Sequence, residues 1–152
     1  VTGVQTCALP ILLLIGRRHV RSNNSWMHNS TRLVKGPRRD QLLVHPADLA
    51  ARGLAGGTEV LLRSRTGSLR VLAEASTEVM QGTVSLPHGW GHDRPGIRLG
   101  IAGSHAGVSA NDLTDELWLD ELCGNAALNG VPVELSPAPG SPAPQAVAPQ
   151  DG

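Results

Sequence analysis

The apolar residues of this chain come in short runs cut off by glycine or proline, and that punctuation restricts the fold more than any other feature. Residues 12–15, 41–44, 58–63, 68–73, 82–86 and 131–135 are each rich in Leu and Val and too short for a self-sustaining helix. Eighteen glycines, eleven prolines and only three aromatic residues, all Trp, favour many short elements joined by turns. The expectation is a mainly β fold with one or two short helices. Six or so short strands favour closure into a small barrel, because closure removes unpaired strand edges.

Local signals assign the pieces. Residues 12–15 read as a buried strand and 16–29 as a long polar loop without helical or strand period. A short strand at 41–44 precedes a short helix at 46–52, with Pro46 suited to the first helical position and Gly53 to a left-handed C-terminal cap. Residues 58–63 and 68–73 form a hairpin about 64–67, in which Gly67 is expected at positive φ. Pro87 ends the strand at 82–86. Residues 113–122 are expected as a helix, N-capped by Thr114, with Asp115 and Glu116 as its solvated first turn. Residues 131–135 are expected as an edge strand.

The two ends read differently from the middle. Residues 1–11 back-translate into a common sequencing adapter and are expected to be an assembly scar, which implies a gene continuing upstream and removes Cys7. The apolar run at 8–15 is shorter than the about 20 residues a membrane span requires. Residues 136–152 are Pro/Ala-rich and expected as a disordered tail, leaving 12–135 as the structured domain. No targeting signal is assignable. The compartment stays open, with the cytoplasm favoured.

Formal net charge is zero, but Arg17, Arg18, Arg21, Arg32, Lys35, Arg38 and Arg39 all precede the first acid of the domain, Asp40. A basic segment in a neutral chain points to a local anionic ligand, phosphate above all, and not to a nucleic-acid partner. Arg17, Arg18 and Arg21 carry guanidinium forks that bind phosphate oxygens bidentately, or else form a solvated basic loop. Ser22, Asn23, Asn24 and Ser25 each donate and accept, which suits a heterocycle edge and equally suits ordinary turns. Trp26 is either a flat packing surface or plain filler, and His28 and Asn29 share that ambiguity. In His88-Gly-Trp-Gly-His92 the two glycines and Pro87 make a loop, so a helical i, i+4 zinc pair is not expected. Glycines there let backbone approach a ligand that His88 and Trp90 face. His19, His45 and His105 look unremarkable. Cys123 reads as a small buried apolar residue, one thiol being too few for a disulfide, a thiolate zinc site or an iron–sulfur cluster. No hydrolytic triad or paired-carboxylate set is evident.

Four blocks in order resemble a known family. They are the Arg/Ser/Asn loop 16–29, the run 43–60 with Pro46-Ala-Asp-Leu and Gly53-Leu-Ala-Gly-Gly57, the block Gly82-Thr-Val-Ser-Leu-Pro-His-Gly-Trp90, and Ala110-Asn-Asp-Leu-Thr114 followed by Asp120 and Gly124. Together they resemble the C-terminal molybdopterin dinucleotide-binding domain of the dimethyl sulfoxide reductase superfamily, which includes formate dehydrogenases and periplasmic nitrate reductases. Cys123 stands where that family has Ser, and 125–133 departs from the ending common among formate dehydrogenases.

The resemblance implies a double-psi β-barrel whose loops at one end close over the cofactor. The cofactor it implies is molybdopterin guanine dinucleotide with Mo or W, bound by Arg17, Arg18, Arg21, Ser22, Asn23, Asn24, Trp26, His28, His88, Trp90 and Asn111. The metal ligand and any iron–sulfur cluster are implied to lie upstream, in the rest of an oxidoreductase chain, so this piece alone should show no turnover. No membrane contact is expected of the domain, and electron-transfer partners are not specified. Two alternatives stay open: a separate small subunit acting in trans, and a double-psi barrel used for protein recognition.

Overall fold

The computed structural model describes residues 11–140. Nearly all of the expected adapter scar, and the tail from residue 141, lie outside the described residues. Six strands form a closed barrel: β1 (Leu12–Arg17), β2 (Leu42–Val44), β3 (Glu59–Arg63), β4 (Ser68–Ala75), β5 (Thr83–Pro87) and β6 (Val131–Pro137). Their order around the barrel is β1-β5-β2-β4-β3-β6. Helices α1 (Thr31–Val34), α2 (Pro46–Ala50) and α3 (Gly100–Gly103) are each little more than one turn. This is the expected mainly β architecture, consistent with a double-psi barrel.

Period-two alternation builds the core. Along β4 the buried residues Leu69, Val71 and Ala73 alternate with exposed or half-buried neighbours, and along β3 Val60 and Leu62 do the same. Leu12, Leu42, Val44, Val84, Leu86, Val131 and Val133 complete an interior from which water is excluded. Each fully buried Leu or Val contributes roughly 1.5–3 kcal/mol relative to exposure. β1 is only half buried, contrary to the reading of 12–15 as a buried strand: Leu12 and Leu14 point inward, while Leu13 and Ile15 are 46% and 36% exposed. One face of a barrel strand meets solvent.

The helix at 46–50 matches its sequence signals. Pro46 occupies the first turn, Gly53 takes φ 62°, and the His45 side chain caps the start by accepting from the Ala47 amide. Asp48 then reaches out to accept from the Gly82 amide, pinning the turn before β5.

Several expectations are corrected. Residues 113–122 are not helical. Thr114 is not an N-cap; its hydroxyl donates to the Asn111 carbonyl. Asp115 is buried, not solvated, and its carboxylate takes a two-pronged bond from Arg65 at 2.5 and 2.6 Å while accepting from the Leu117 amide. Asp120 closes a local turn by accepting from the Leu122 and Cys123 amides, and Cys123 is exposed. Short acidic side chains that bond nearby backbone compete with helix formation, and here they win.

Gly67 has no positive φ; it is small because a Cβ there would meet the Asp112 carbonyl oxygen at 2.5 Å. β6 is not an edge strand. It lies between β1 and β3, and it continues past residue 135, with Ser136 and Pro137 paired to Leu61 and Val60.

Candidate functional site

The barrel's parallel pairs decide where the site forms. β1 and β5 run side by side in the same direction, with Arg17 opposite Pro87. Both strands therefore release their long connections, residues 18–41 and 88–130, from the same barrel end. The His88 amide donates to the Arg17 carbonyl, so the two chains depart in contact. All but one of the candidate residues lie on these two connections, and Arg17 ends the strand that feeds the first.

Two adjoining grooves open there. One, of about 270 Å³, is lined by Gly16, Arg17, Arg18, His88, Asn111 and Asn129 over an apolar floor of Leu14 and Leu86. The other, of about 290 Å³, is lined by Arg17, Arg18, His19, Ser22, Arg38, Arg39 and His88 together with the acids Glu74 and Glu78. Arg17, Arg18 and His88 line both. A larger cavity, about 580 Å³, lies on the outer face of β6 beside Arg65 and Trp118, away from every candidate residue.

The arginines differ in what they are free to do. Arg17 is a staple as well as a wall: its guanidinium donates to the carbonyls of Ser85 and Gln41, both at 2.5 Å. Burial pushes its pKa down, and the charges of Glu74, Asp40 and Glu78 oppose that shift. Arg18 is exposed and spends one N–H on the Asn23 carbonyl, one of five such donors on a guanidinium. Arg21 donates to the Arg32 carbonyl and lines neither groove.

Arg38 and Arg39, not singled out by the sequence, join the second groove. Arg38 is paired with Asp40 at 2.6 Å, and Arg39 carries a buried Nε with no partner. Four guanidinium groups thus share one opening. Glu74 and Glu78 line the same opening and Asp40 pairs with Arg38, so acids offset part, not all, of the clustered positive charge.

The structure brings Arg17, Arg18, Ser22, His88 and Asn111 together at the grooves. Asn23, Asn24 and Trp26 are exposed and line neither groove, with Trp26 65% exposed. His28 and Trp90 do not face the grooves. Their rings stack on each other at 3.9 Å between centroids, and both are buried. His28 Nδ1 lies 2.7 Å from His92 Nε2, its Nε2 lies 3.2 Å from the Ser22 carbonyl, and His105 Nε2 lies 3.2 Å from the His28 carbonyl. Asn29 is structural as well, its Oδ1 accepting from the Ile101 and Ala102 amides at the start of α3.

By sequence His92 enters only as half of a zinc pair that is not expected, and His105 looks unremarkable; their structural roles come from partners 64 and 77 residues away, which no local signal marks. Gly91, at φ 103°, packs so tightly that a Cβ would lie 2.9 Å from that of Ser109, which explains one glycine of the 88–92 loop without a ligand.

A partly buried phosphate ester and heterocycle need dense donors, and the lining fits: guanidinium N–H groups, an orphaned Arg39 Nε, two Asn amides and the His88 ring over an apolar floor.

Comparison with known proteins agrees. The family model described as "Molydopterin dinucleotide binding domain" matches residues 12–132. Trimethylamine-N-oxide reductase of Haemophilus influenzae is 29% identical over 92 residues, which is 60% of this chain and 11% of that protein. Acetylene hydratase from Pelobacter acetylenicus superimposes with a TM-score of 0.64 over 84% of this chain and 18% of its own, at 22% identity, a likeness of fold. The chain thus spans about a tenth of the curated relative it matches. With the family match covering nearly the whole barrel and both long connections, this chain belongs to the molybdopterin dinucleotide-binding domain family.

Proposed function

We propose that the paired grooves bind molybdopterin guanine dinucleotide and hold it for the Mo or W centre of a larger molybdopterin oxidoreductase. Its pyrophosphate lies against Arg18, Arg38 and Arg39, and Ser22, His88 and Asn111 meet heterocycle edges. The observation that carries this reading is the convergence of four guanidinium groups on one opening in a chain of zero net charge. When bound, the pterin supplies the dithiolene that carries the metal, and the redox chemistry is the cofactor's. The residues of this chain bind, orient and hydrogen-bond it; the metal's protein ligand and any iron–sulfur cluster belong to other domains of the enzyme.

Guanosine diphosphate, which carries the guanosine and the pyrophosphate of the cofactor, is the probe that tests this reading. Titrated into the chain, it should shift the amide resonances of residues 17–24, His88 and Asn111. Arg18→Ala should weaken it about tenfold or more, since a hydrogen bond to a charged group contributes roughly 1.5–3 kcal/mol. Added salt should weaken it further. Shifts confined to the outer face of β6, or an affinity indifferent to Arg18, would remove the proposal.

A further inference from the structure

We propose that the buried His28–His92 pair is a proton-controlled positioning latch: with at most one extra proton it clamps the 18–29 and 88–92 loops together, and with two it releases them. The consequence for cofactor binding rests on the function proposed above, whereas the latch itself does not.

The tautomers follow from the geometry. A carbonyl oxygen only accepts, so His28 Nε2, facing the Ser22 carbonyl, must carry a proton. In the neutral ring His28 Nδ1 is then a lone pair, and the bond at 2.7 Å requires His92 Nε2–H to donate to it. A first extra proton goes to His92 Nδ1 and leaves this bond intact. The second has only His28 Nδ1 to bind, the very atom that accepts the bond. Two N–H groups would then face each other, with two cations inside a pocket where His28 is 0% and His92 7% exposed. The pair must separate.

The surroundings push the same way. Burial lowers the pKa of both rings. For His28 the hydrogen bond to the Ser22 carbonyl opposes this, whereas His92, His105 from the turn after α3 and Arg39 from the approach to β2 lower it further; His105 also lowers that of His92. Asp93 favours the charged form of His92, and Asp40, already paired with Arg38, lies near His105. Because the folded values are depressed, the latch contributes fully above the ordinary histidine value of about 6.5 and is lost as pH falls below it.

Release reaches the groove through short links. His28 Nε2 holds the Ser22 carbonyl, Ser22 lines the groove, and Arg18 is anchored on the next carbonyl, that of Asn23. On the other side His92 lies four residues beyond His88, and Trp90, stacked on His28, lies between them. His92 is therefore a positioning residue that touches no ligand.

The full 152-residue chain provides the test. Nitrogen-15 spectra of the histidine rings at pH 7.5 should show His28 protonated at Nε2 only and His92 protonated at Nε2. From pH 7 to pH 5, amide protection at residues 22–28, corrected for intrinsic exchange, should fall at least tenfold, and the buried Trp90 emission should shift to the red. His92→Gln offers its amide N–H to the neutral His28 Nδ1 and, turned over, its carbonyl oxygen to the protonated one, so it pairs with His28 in either state and protection in this variant should change less than threefold over the same range.

A His28 ring protonated at Nδ1 at neutral pH, or wild-type protection that does not fall by pH 5, overturns the latch. So does a His92→Gln variant that loses protection in step with the wild type. Guanosine diphosphate separates the two proposals. If it binds at no pH while protection behaves as described, the groove reading fails and the latch stands. If it binds and the two proteins share one pH profile of protection, the groove stands and the latch fails.

Discussion

Replacing Gly67 by Ala probes how the β3–β4 hairpin sets the groove's far wall. The added methyl would lie 2.5 Å from the Asp112 carbonyl oxygen, and ordinary contact begins near 3.4 Å, so that carbonyl must retreat by about 1 Å. It has little room to do so. Leu113 is fully buried, the Thr66 hydroxyl donates to the Thr114 carbonyl at 2.9 Å, and Asp115 is gripped by Arg65. Overpacking against anchored backbone costs about 1–3 kcal/mol. For a described region of about 130 residues, with an unfolding entropy of roughly 2.1 cal/mol/K per residue, that lowers Tm by about 4–11 °C.

Asn111, next to Asp112 and on the groove wall, should move with it. Thermal unfolding measures the first effect and the Asn111 amide shift the second. Gly100→Ala is the control, because nothing lies within 4 Å of its added methyl and its φ is not positive; it should be neutral or slightly stabilising. If Gly67→Ala unfolds at the wild-type temperature with Asn111 unmoved, the claim that the hairpin bears on the groove wall is wrong.

Other outcomes follow from single contacts. Leu62→Ala, at a position with 0% exposure in the barrel interior, should cost about 3–5 kcal/mol in urea denaturation, since the closed barrel cannot collapse into the void. The Arg65 guanidinium holds the Asp115 carboxyl down to about 2, so their bond is complete above the ordinary carboxylate range and is lost only as pH falls towards 2. Exchange protection of the Leu117 amide, which donates to Asp115, should therefore persist from pH 7 to pH 4 and vanish near pH 2; Asp115→Asn should weaken it at every pH. Asn29→Ala should expose the Ile101 and Ala102 amides to exchange, loosening α3 without changing Arg18.

Residues 113–122 show where local sequence stops being informative. Thr114 and the acids after it carry the marks of a helix start, and in isolation nothing contradicts them. Arg65, 50 residues earlier, takes Asp115 for a salt bridge, and Asp120 turns on its own neighbours. The Ser25–Asn29 turn is similar: its His and Trp-adjacent pattern looks ligand-facing, yet His28 is fully buried against Trp90 and His92. The exposed Trp26 and the buried Trp90 could not be told apart by residue type.

The strands, the capped α2 helix and the basic run from Arg17 to Arg39 were written in the chain, because alternation, caps and charge are properties of neighbours. The tertiary structure alone decided that β1 and β5 pair in parallel, which sends both long connections out of one barrel end and brings Arg18 to His88 and Asn111. It also decided that His28 closes on His92. Both depend on contacts between residues far apart in sequence, and those are fixed by barrel closure and exclusion of water, which no short window of residues contains.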